Sequence, residues 1–231
     1  MRRYQYKRAY TWSPNIAYSV GLMTSDGCLQ KDGRHLDITS IDIEQIKNFS
    51  RALGRNLTIS TKRSGSDSLA YRTQFSDVAY YDFLLRVGLT PVKSKTISKL
   101  DIPEKWYADF LRGVFDGDGS CYSYTDNRWR SSYMFYTTFT SASLAFLEYI
   151  QSSNRLVIGV GCGTLRKSGR AYSLAYAKAD SHKLKAYMYH SPEVLSLARK
   201  RNKLGKFVET DQAWYNNLVR ARVVKLVNTQ P

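Results

Sequence analysis

The stretch FLRGVFDGDGSC, residues Phe110–Cys121, decides the fold, because it starts like a buried helix and ends in two aspartates spaced by glycines. An earlier stretch, AYSVGLMTSDGC at Ala17–Cys28, has the same outline. Two pairs of residues correspond, each 92 positions apart (113 − 21 and 118 − 26): Gly21 with Gly113, and Asp26 with Asp118. A motif present in two copies at this period predicts a pseudo-dimer of two similar halves.

The small residues of the motif predict two helices that pack closely against each other. They fall four apart in each copy: Gly21 and Ser25 in the first, Gly113 and Gly117 in the second. This spacing puts both residues of a copy on one helix face, where the lack of bulk lets two backbones approach. If these faces pack about a pseudo-twofold axis, Asp26 and Asp118 lie side by side at the C-terminal ends of the helices.

Two carboxylates at such helix ends need compensation. Each faces the negative end of a helix dipole, at a cost of roughly 0.3–1 kcal/mol when exposed, and two close carboxylates repel each other. Divalent cations remove both penalties, and oxygen ligands with room for water and phosphate suit Mg²⁺. Metal ions that bridge two acids can activate water for phosphodiester hydrolysis and stabilise the leaving oxygen. We therefore expect Mg²⁺ as the cofactor, with Mn²⁺ or Ca²⁺ able to substitute in binding.

Two other interpretations of DGDG are less favourable. An EF-hand loop starting at Asp116 would place Cys121 and Asn127 where glycine and glutamate are required, which excludes it. A plain Asp-Gly turn after a helix is common, and a single copy would be interpreted in that way. Two copies in equivalent halves of a basic chain favour the functional interpretation.

The order of predicted elements repeats after each motif. After the first come strand-like residues at 35–42, a helix at 43–54, alternating runs at 56–63 and 69–76, and a helix at 80–89. After the second come a strand at 131–141, a helix at 143–154, a hairpin at 163–178 and a helix at 182–190. We predict two α+β halves, residues 1–98 and 99–231, with a helical C-terminal tail.

The charge of the chain indicates a polyanionic partner. Its 35 Lys+Arg against 19 Asp+Glu give a formal net charge of +16, which favours nucleic acid first and an anionic membrane surface second. The solvent faces of the predicted strands carry side chains that reach phosphates and base edges. The predicted DNA-binding residues are Gln30, Lys31, Arg34, Ser40, Lys62, Arg63, Arg72, Gln74, Tyr122, Arg128, Arg130, Thr138, Arg166, Lys167 and Arg170.

Several classes of protein are disfavoured. No apolar run approaches the roughly 18 residues of a membrane span, and the basic start MRRYQYKRAY has no apolar segment typical of a secretory signal. The three cysteines, Cys28, Cys121 and Cys162, are too few and too scattered for a zinc site. We expect an intracellular protein of the bacterial cytoplasm or of an organelle (mitochondrion or chloroplast), not secreted and with no membrane partner.

The doubled motif resembles that of the LAGLIDADG homing endonucleases in their single-chain form. The second copy, LRGVFDGDG at Leu111–Gly119, is a close match to the nine-letter signature. The first, SVGLMTSDG at Ser19–Gly27, keeps the glycine, the eighth-position acid and the final glycine. The order of elements also fits, so the resemblance covers most of the chain. It implies an α+β fold in which a pseudo-twofold pair of αββαββα halves forms a DNA-binding saddle from antiparallel sheets.

The resemblance also implies the site residues. Asp26 and Asp118 would be the catalytic metal ligands, helped by the carbonyl groups of Ser25 and Gly117. A basic side chain would lie near each scissile phosphate, and the best matches are Lys93 in LTPVKSKT and Lys200 in LARKRNKL. The competing basic residues are Lys95, Arg199, Arg201 and Lys203. Ser40 and Thr138 would line the water network.

The two copies depart from each other at two positions. Thr24 stands opposite Asp116, where the sixth-position acid would be, and we expect this to perturb the helix end without abolishing activity. Arg112 in the second helix has Val20 as its counterpart. Divergent halves suit an asymmetric DNA site better than a perfect palindrome.

The expected function is a site-specific, metal-dependent endonuclease that acts as a monomer and cuts both strands of a long asymmetric DNA target. Nothing in the sequence marks an intein, so an intron-encoded homing endonuclease is favoured. Two alternatives stay open: an RNA maturase that binds intron RNA and assists splicing, and a non-catalytic DNA-binding protein on the same scaffold. Retention of both acids argues against the latter, because unpaired carboxylates there would only repel phosphates.

Overall fold

A computed structural model describes residues 9–63, 69–126 and 132–227, except for the side chains of residues 132, 214 and 216–227. The first half contains α1 (Pro14–Ser25), β1 (Gly27–Leu29), β2 (His35–Ser40), α2 (Ile43–Ala52), β3 (Ser60–Arg63), β4 (Leu69–Ser76) and α3 (Val78–Val87). The second contains α4 (Tyr107–Asp118), β5 (Ser120–Asp126), β6 (Ser132–Ser141), α5 (Leu144–Ile158), β7 (Thr164–Ser168), β8 (Ala171–Tyr176), α6 (Lys178–Met188) and α7 (Ala198–Val227).

The two halves have the same topology. Each contains one antiparallel four-stranded sheet, with strand order β1-β2-β4-β3 in the first and β5-β6-β8-β7 in the second. Both halves follow the order αββαββα, and α7 is the additional C-terminal helix. The prediction of an α+β fold made of two equivalent halves is confirmed. The predicted boundary between residues 98 and 99 lies in the connection from α3 to α4 and stays a prediction.

Local sequence explains where the two motif helices start. In α1, Pro14 occupies the first helical position and the Ser13 hydroxyl accepts a 3.2 Å hydrogen bond from the Ile16 N–H, which is a standard N-terminal cap. In the second copy Pro103 is extended (φ −60°, ψ 135°) and precedes a 3₁₀ turn at Glu104–Trp106 that leads into α4. The helix proper therefore starts four residues after Pro103.

Helices cover one face of each sheet and leave the other open. Leu36, Ile38 and Phe75 of the first sheet are buried on the covered face, as are Phe135, Phe139 and Leu174 of the second. Because side chains alternate along a strand, the residues immediately before and after each of these lie on the uncovered face of their sheet. We call these two surfaces the N-terminal and the C-terminal open face.

The C-terminal helix α7 joins the two halves. The Arg199 guanidinium pairs with the Asp42 carboxylate, with one N···O distance of 2.6 Å, and the Ala198 N–H donates to Glu44. Further along, Asp211 accepts a 2.9 Å hydrogen bond from Lys178 and lies 2.9 Å from His182, both residues of α6. Across the described residues neither α7 nor any other helix is apolar enough over a sufficient length to cross a bilayer.

Candidate functional site

Helices α1 and α4 cross in backbone contact at two glycines. A methyl group built on Gly21 would overlap the Phe110 carbonyl oxygen and lie 2.8 Å from the Gly113 α-carbon. A methyl group on Gly113 would overlap the Tyr18 carbonyl oxygen and lie 2.9 Å from the Gly21 α-carbon. Neither position can hold a side chain without separating the helices, so the close approach predicted from the spacing of small residues is confirmed.

The same approach continues one turn further and brings the two acids to adjacent helix ends. A methyl group on Gly117 would overlap the Ser25 hydroxyl and lie 3.0 Å from Oδ2 of Asp26. Asp26 is the C-terminal cap of α1, and its N–H donates a 3.0 Å bond to the Leu22 carbonyl. Asp118 is the last residue of α4. The helix end is regular, so the expected perturbation by Thr24 is not seen: its hydroxyl bonds to the Val20 carbonyl within the helix.

Burial makes both acids harder to ionise. It raises the pKa of Asp26 from 3.8 to about 6, and the negative charge of Asp118 adds to this rise. Burial raises the pKa of Asp118 as well, while the positive charges of Lys200 and Lys93 oppose the rise. The two carboxylates therefore interact, and each is stabilised in its charged form by the same two lysines.

Lys93 and Lys200 are both buried beside the acids, each with 6% of its surface exposed. Burial lowers the pKa of both lysines. The charges of Asp118 and Asp26 counteract this effect at Lys93, and those of Asp116, Asp26 and Asp118 counteract it at Lys200. The Lys200 ammonium donates hydrogen bonds of 2.9 Å to the Phe115 carbonyl and 2.6 Å to the Gly117 carbonyl. One lysine from each half thus joins the two acids in a single cluster.

The competing basic residues point elsewhere. Arg199 pairs with Asp42, Arg201 donates a 2.9 Å bond to the Pro192 carbonyl, and Lys203 lies 5.8 Å from the centre of the Phe207 ring. Lys95 is exposed to solvent. The predicted choice of Lys93 and Lys200 agrees with this geometry, although their catalytic role stays a prediction.

The backbone before Lys93 is strained. Val92 has φ +60° and ψ 28°, in the left-handed region that a β-branched residue rarely adopts. It directly precedes the 3₁₀ turn at Lys93–Lys95. Strain of this kind persists where surrounding contacts over-determine the conformation, often at functional sites.

The donor atoms at the helix ends fit a hard divalent cation. They are two partly buried carboxylates and the carbonyl groups of Ser25 and Gly117, all oxygen ligands of the kind that Mg²⁺ prefers. The Gly117 carbonyl accepts a bond from Lys200 and keeps a second lone pair. In the described part of the chain no group of three or more His, Cys, Asp and Glu side chains could hold a metal. Water and phosphate oxygens would therefore have to complete the coordination, as is usual for Mg²⁺.

A glutamine that the sequence reasoning missed contacts the first acid. Gln45 of α2 donates a 2.5 Å hydrogen bond from Nε2 to Oδ2 of Asp26, and its Oε1 accepts a 2.9 Å bond from the Ser40 hydroxyl. Ser40 lies on the covered side of β2 and reaches the acid through Gln45. The equivalent α5 residue is the buried Phe146, so the two acids have different neighbours.

Buried polar groups of α4 hold the segment that leads to Lys200. Oδ2 of Asp116 accepts bonds from the Tyr18 hydroxyl (2.8 Å) and the Leu197 N–H (2.7 Å). Arg112 donates 2.8 Å bonds to the carbonyls of Met188 and Leu195, and it pairs with Asp109 at 2.6 Å. The second half therefore uses these acids and this arginine to anchor the start of α7.

The predicted DNA-binding residues of the first half lie in three places. Lys62, Arg72 and Gln74 are on the N-terminal open face, with Asp37 between them: Arg72 lies 3.0 Å from Asp37 and Gln30 donates a 3.1 Å bond to it. Lys31 and Arg34 are in the turn between β1 and β2. Arg63 follows Lys62 in β3 and so lies on the other side of the sheet.

In the second half, Tyr122, Thr138 and Arg166 lie on the C-terminal open face. Lys167 is on the other side of β7, and Arg170 is in the turn between β7 and β8. Arg128 and Arg130 lie outside the described residues. The sequence reasoning missed Tyr124 and Tyr136, which stand beside Tyr122 on the same face.

Solved structures with the same fold include DNA-bound nucleases. The homing endonuclease I-WcaI bound to its DNA recognition sequence superposes with a TM-score of 0.59 at 11% identity, over 84% of this chain and 88% of that one. The LAGLIDADG meganuclease I-AabMI bound to uncleaved DNA gives a TM-score of 0.57 at 13% identity, over 95% and 99% of the two chains. Full-length DUF199/WhiA from Thermatoga maritima gives 0.55 at 12% identity, over 96% and 71%.

These comparisons establish the fold. No protein-family model matches the sequence, and no curated protein matches it either. The chain has the fold of the single-chain LAGLIDADG homing endonucleases, as its doubled motif predicts. At such low identity the likeness carries no residue roles, so those depend on the geometry of this chain.

Proposed function

We propose that the protein is a site-specific, metal-dependent DNA endonuclease. It acts as a monomer, cuts both strands of a long asymmetric target, and is encoded by an intron. One observation carries the proposal: two carboxylates from separate halves, Asp26 and Asp118, meet at the ends of crossed helices beside two buried lysines. A cluster of this composition matches the requirements of phosphodiester hydrolysis.

The residues of the cluster divide the chemical work. Asp26 and Asp118 would hold Mg²⁺ together with the carbonyls of Ser25 and Gly117, and the ion supplies activation of water and stabilisation of the leaving oxygen. Lys93 and Lys200, one from each half, neutralise charge that develops on the two scissile phosphates. Gln45 fixes the orientation of the Asp26 carboxylate through its hydrogen bond.

The surface around the cluster suits duplex DNA. The net charge of +16 favours a polyanion. Each acid directly precedes the first strand of one sheet, β1 after Asp26 and β5 after Asp118, as expected if each half binds one half-site next to the cleavage point. I-WcaI and I-AabMI, which share the fold, are described as bound to DNA. Because the side chains on the two open faces differ, the target is asymmetric. The protein acts where DNA is present, in the bacterial cytoplasm or an organelle.

A non-catalytic DNA-binding protein is the second candidate. The similarity to DUF199/WhiA favours it. That similarity extends over 96% of this chain, and the description of DUF199/WhiA names no nuclease. The buried acids argue against it, because they raise the cost of folding and repel phosphates unless they bind a cation.

Cleavage selection separates the two candidates. A randomised duplex library is incubated with the protein and Mg²⁺, and cut products are sequenced. We expect double-strand breaks in one target, binding without cutting by Asp26→Asn and Asp118→Asn, and full activity for the exposed control Asp101→Asn. Tight and selective binding by the wild-type protein without any cutting in Mg²⁺ or Mn²⁺ would establish the non-catalytic candidate.

A further inference from the structure

Three tyrosines form a stacked cluster on the C-terminal open face. Tyr122 of β5 lies directly opposite Tyr136 of β6, with ring centres 5.1 Å apart and ring planes 13° apart. Tyr124, two residues along β5, stacks on Tyr136 at 6.1 Å and 6°. Tyr122 and Tyr124 are 46% and 44% exposed. We call these three residues the tyrosine cluster.

The cluster presents ring edges rather than ring faces. Side chains stand roughly perpendicular to a sheet, and the near-parallel rings cover part of one another's faces. The outward parts are therefore aromatic edges and hydroxyl groups. A hydrogen bond with Tyr124 raises the pKa of Tyr136 to about 12, so Tyr136 is uncharged at neutral pH.

A recess of about 440 Å³ lies against the cluster. Besides the tyrosines its lining is mostly hydroxyl and methyl groups, with a cation from Arg166. The other lining residues are Thr138, Thr164, Lys167, Ser168, Ser173 and Ala175. No carboxylate or amide side chain occurs among the lining residues that the structure describes. The recess thus offers aromatic edges, methyl groups and hydroxyl groups beside the Arg166 cation.

The N-terminal open face has the opposite character. Its centre is the Asp37 carboxylate, which is bound by Gln30 at 3.1 Å and by Arg72 at 3.0 Å. Gln74 and Lys62 stand on the same face. Amide, guanidinium and carboxylate groups are the side chains that recognise adenine, guanine and cytosine through paired hydrogen bonds.

In the major groove, apolar groups such as aromatic ring edges recognise thymine, because thymine presents a C5-methyl group there. We propose that the C-terminal open face reads its half-site through thymine methyl groups seated against the tyrosine cluster, whereas the N-terminal open face reads its half-site through hydrogen bonds. This inference rests on the proposed DNA-binding function and adds the chemical basis of specificity in each half-site.

Replacing thymine by deoxyuridine tests this directly, because it removes the methyl group and leaves base pairing intact. The two half-sites of the selected target are first assigned with Arg72→Gln, whose altered base preferences mark the half bound by the N-terminal open face. Dissociation constants are then measured in Ca²⁺ for duplexes carrying deoxyuridine in one half only.

We expect binding to weaken about three- to fivefold per contacted methyl group in the C-terminal half, and less than twofold in the other half. Tyr122→Ser should remove most of the loss of affinity that deoxyuridine causes. Arg72→Gln should weaken binding overall but leave that loss unchanged. Replacing the same thymines by 5-methylcytosine opposite guanine keeps the methyl group and should cost less than unmethylated cytosine.

Two results would overturn the inference while leaving the proposed function standing. One is that deoxyuridine in either half-site leaves the dissociation constant and the cleavage rate changed to the same small extent. The other is tighter binding of single-stranded DNA or RNA than of duplex through the tyrosines, which would assign them to base stacking. Failure to bind any duplex would overturn the inference and the proposed function together.

Discussion

The ammonium group of Lys200 lies 2.6 Å from the carbonyl oxygen of Gly117, the residue next to Asp118. It also donates to the Phe115 carbonyl at 2.9 Å. Both carbonyls belong to the last turn of α4. The Phe115 carbonyl also accepts a 2.9 Å bond from the Gly119 N–H, whereas the Gly117 carbonyl has no partner within α4. Lys200 therefore caps the negative end of the motif helix and offsets the charge of the acids at the same time.

Lys200→Met should impair both stability and cleavage. It leaves the Gly117 carbonyl without its donor and removes one of the two donors to the Phe115 carbonyl, at a cost of about 1–3 kcal/mol in the free energy of unfolding. The loss of a cation near the scissile phosphate should lower the cleavage rate at least about a hundredfold. Urea denaturation and single-turnover cleavage measure the two effects. Lys203→Met on the same helix is the control and should change neither, and an unchanged cleavage rate for Lys200→Met would exclude Lys200 from the site.

Asp26→Asn should stabilise the metal-free protein at neutral pH. The pKa of Asp26 is raised to about 6 in the folded protein, so the folded state binds this proton more tightly than the unfolded chain. Stability therefore falls as the pH rises from about 4 to about 6 and stays reduced above that range. The substitution should raise the free energy of unfolding at pH 7.5 by roughly 1–3 kcal/mol.

The gain from Asp26→Asn should vanish below about pH 4, where the aspartate is protonated in both states. Urea denaturation in EDTA at several pH values measures it. If the variant is less stable than the wild-type protein at pH 7.5, burial and the charge of Asp118 do not disfavour the ionised form of Asp26.

Alanine at either crossing glycine should force the motif helices apart. Gly21→Ala and Gly113→Ala place a methyl group against backbone atoms that cannot rotate away, which should cost about 3 kcal/mol or more. Gly205 lies in α7 with open space around it, so Gly205→Ala is the matched control and should stabilise by up to about 1 kcal/mol. Thermal unfolding of the three variants compares them, and wild-type stability of Gly21→Ala would contradict the close crossing.

Arg112→Met should be strongly destabilising because of the acid it leaves behind. Arg112 and Asp109 are 1% and 3% exposed and pair at 2.6 Å. Breaking a buried pair by removing one partner costs about 3–5 kcal/mol. Arg112→Met combined with Asp109→Leu should recover a large part of the loss, since it also removes the buried carboxylate, whose remaining partner is His190 at 3.5 Å. A double variant as unstable as the single one would assign the cost to the lost carbonyl bonds of Arg112 instead.

Sequence reasoning reached those features of the site that depend on the motif itself. The crossing of α1 and α4 follows from Gly21 and Gly113, because the absence of a side chain has the same consequence wherever the helices lie. The family resemblance favoured Lys200 over its basic neighbours, but helical spacing alone leaves that choice open, since consecutive helical residues point about 100° apart. The packing of α7 decides that Arg199 meets Asp42 while Lys200 meets the motif helix.

Other features depend on packing between elements that are distant in sequence. Gln45 reaches Asp26 because α2 packs beneath β2, and no motif marks that contact. Arg63 and Lys167 were predicted together with Lys62 and Arg166, but neighbours in a strand point to opposite sides of a sheet. Tyr124 and Tyr136 were missed because the cluster forms only when β5 and β6 pair in register.

The most direct test of the central claim is anomalous scattering from Mn²⁺ in crystals of the protein with its selected DNA target. A Mn²⁺ peak is expected between α1 and α4, within roughly 2.5 Å of carboxylate oxygens of both Asp26 and Asp118. The peak should be lost in Asp118→Asn. An ordered complex in which both carboxylates are visible and no Mn²⁺ lies between them would contradict the claim that these acids form one metal-dependent nuclease site.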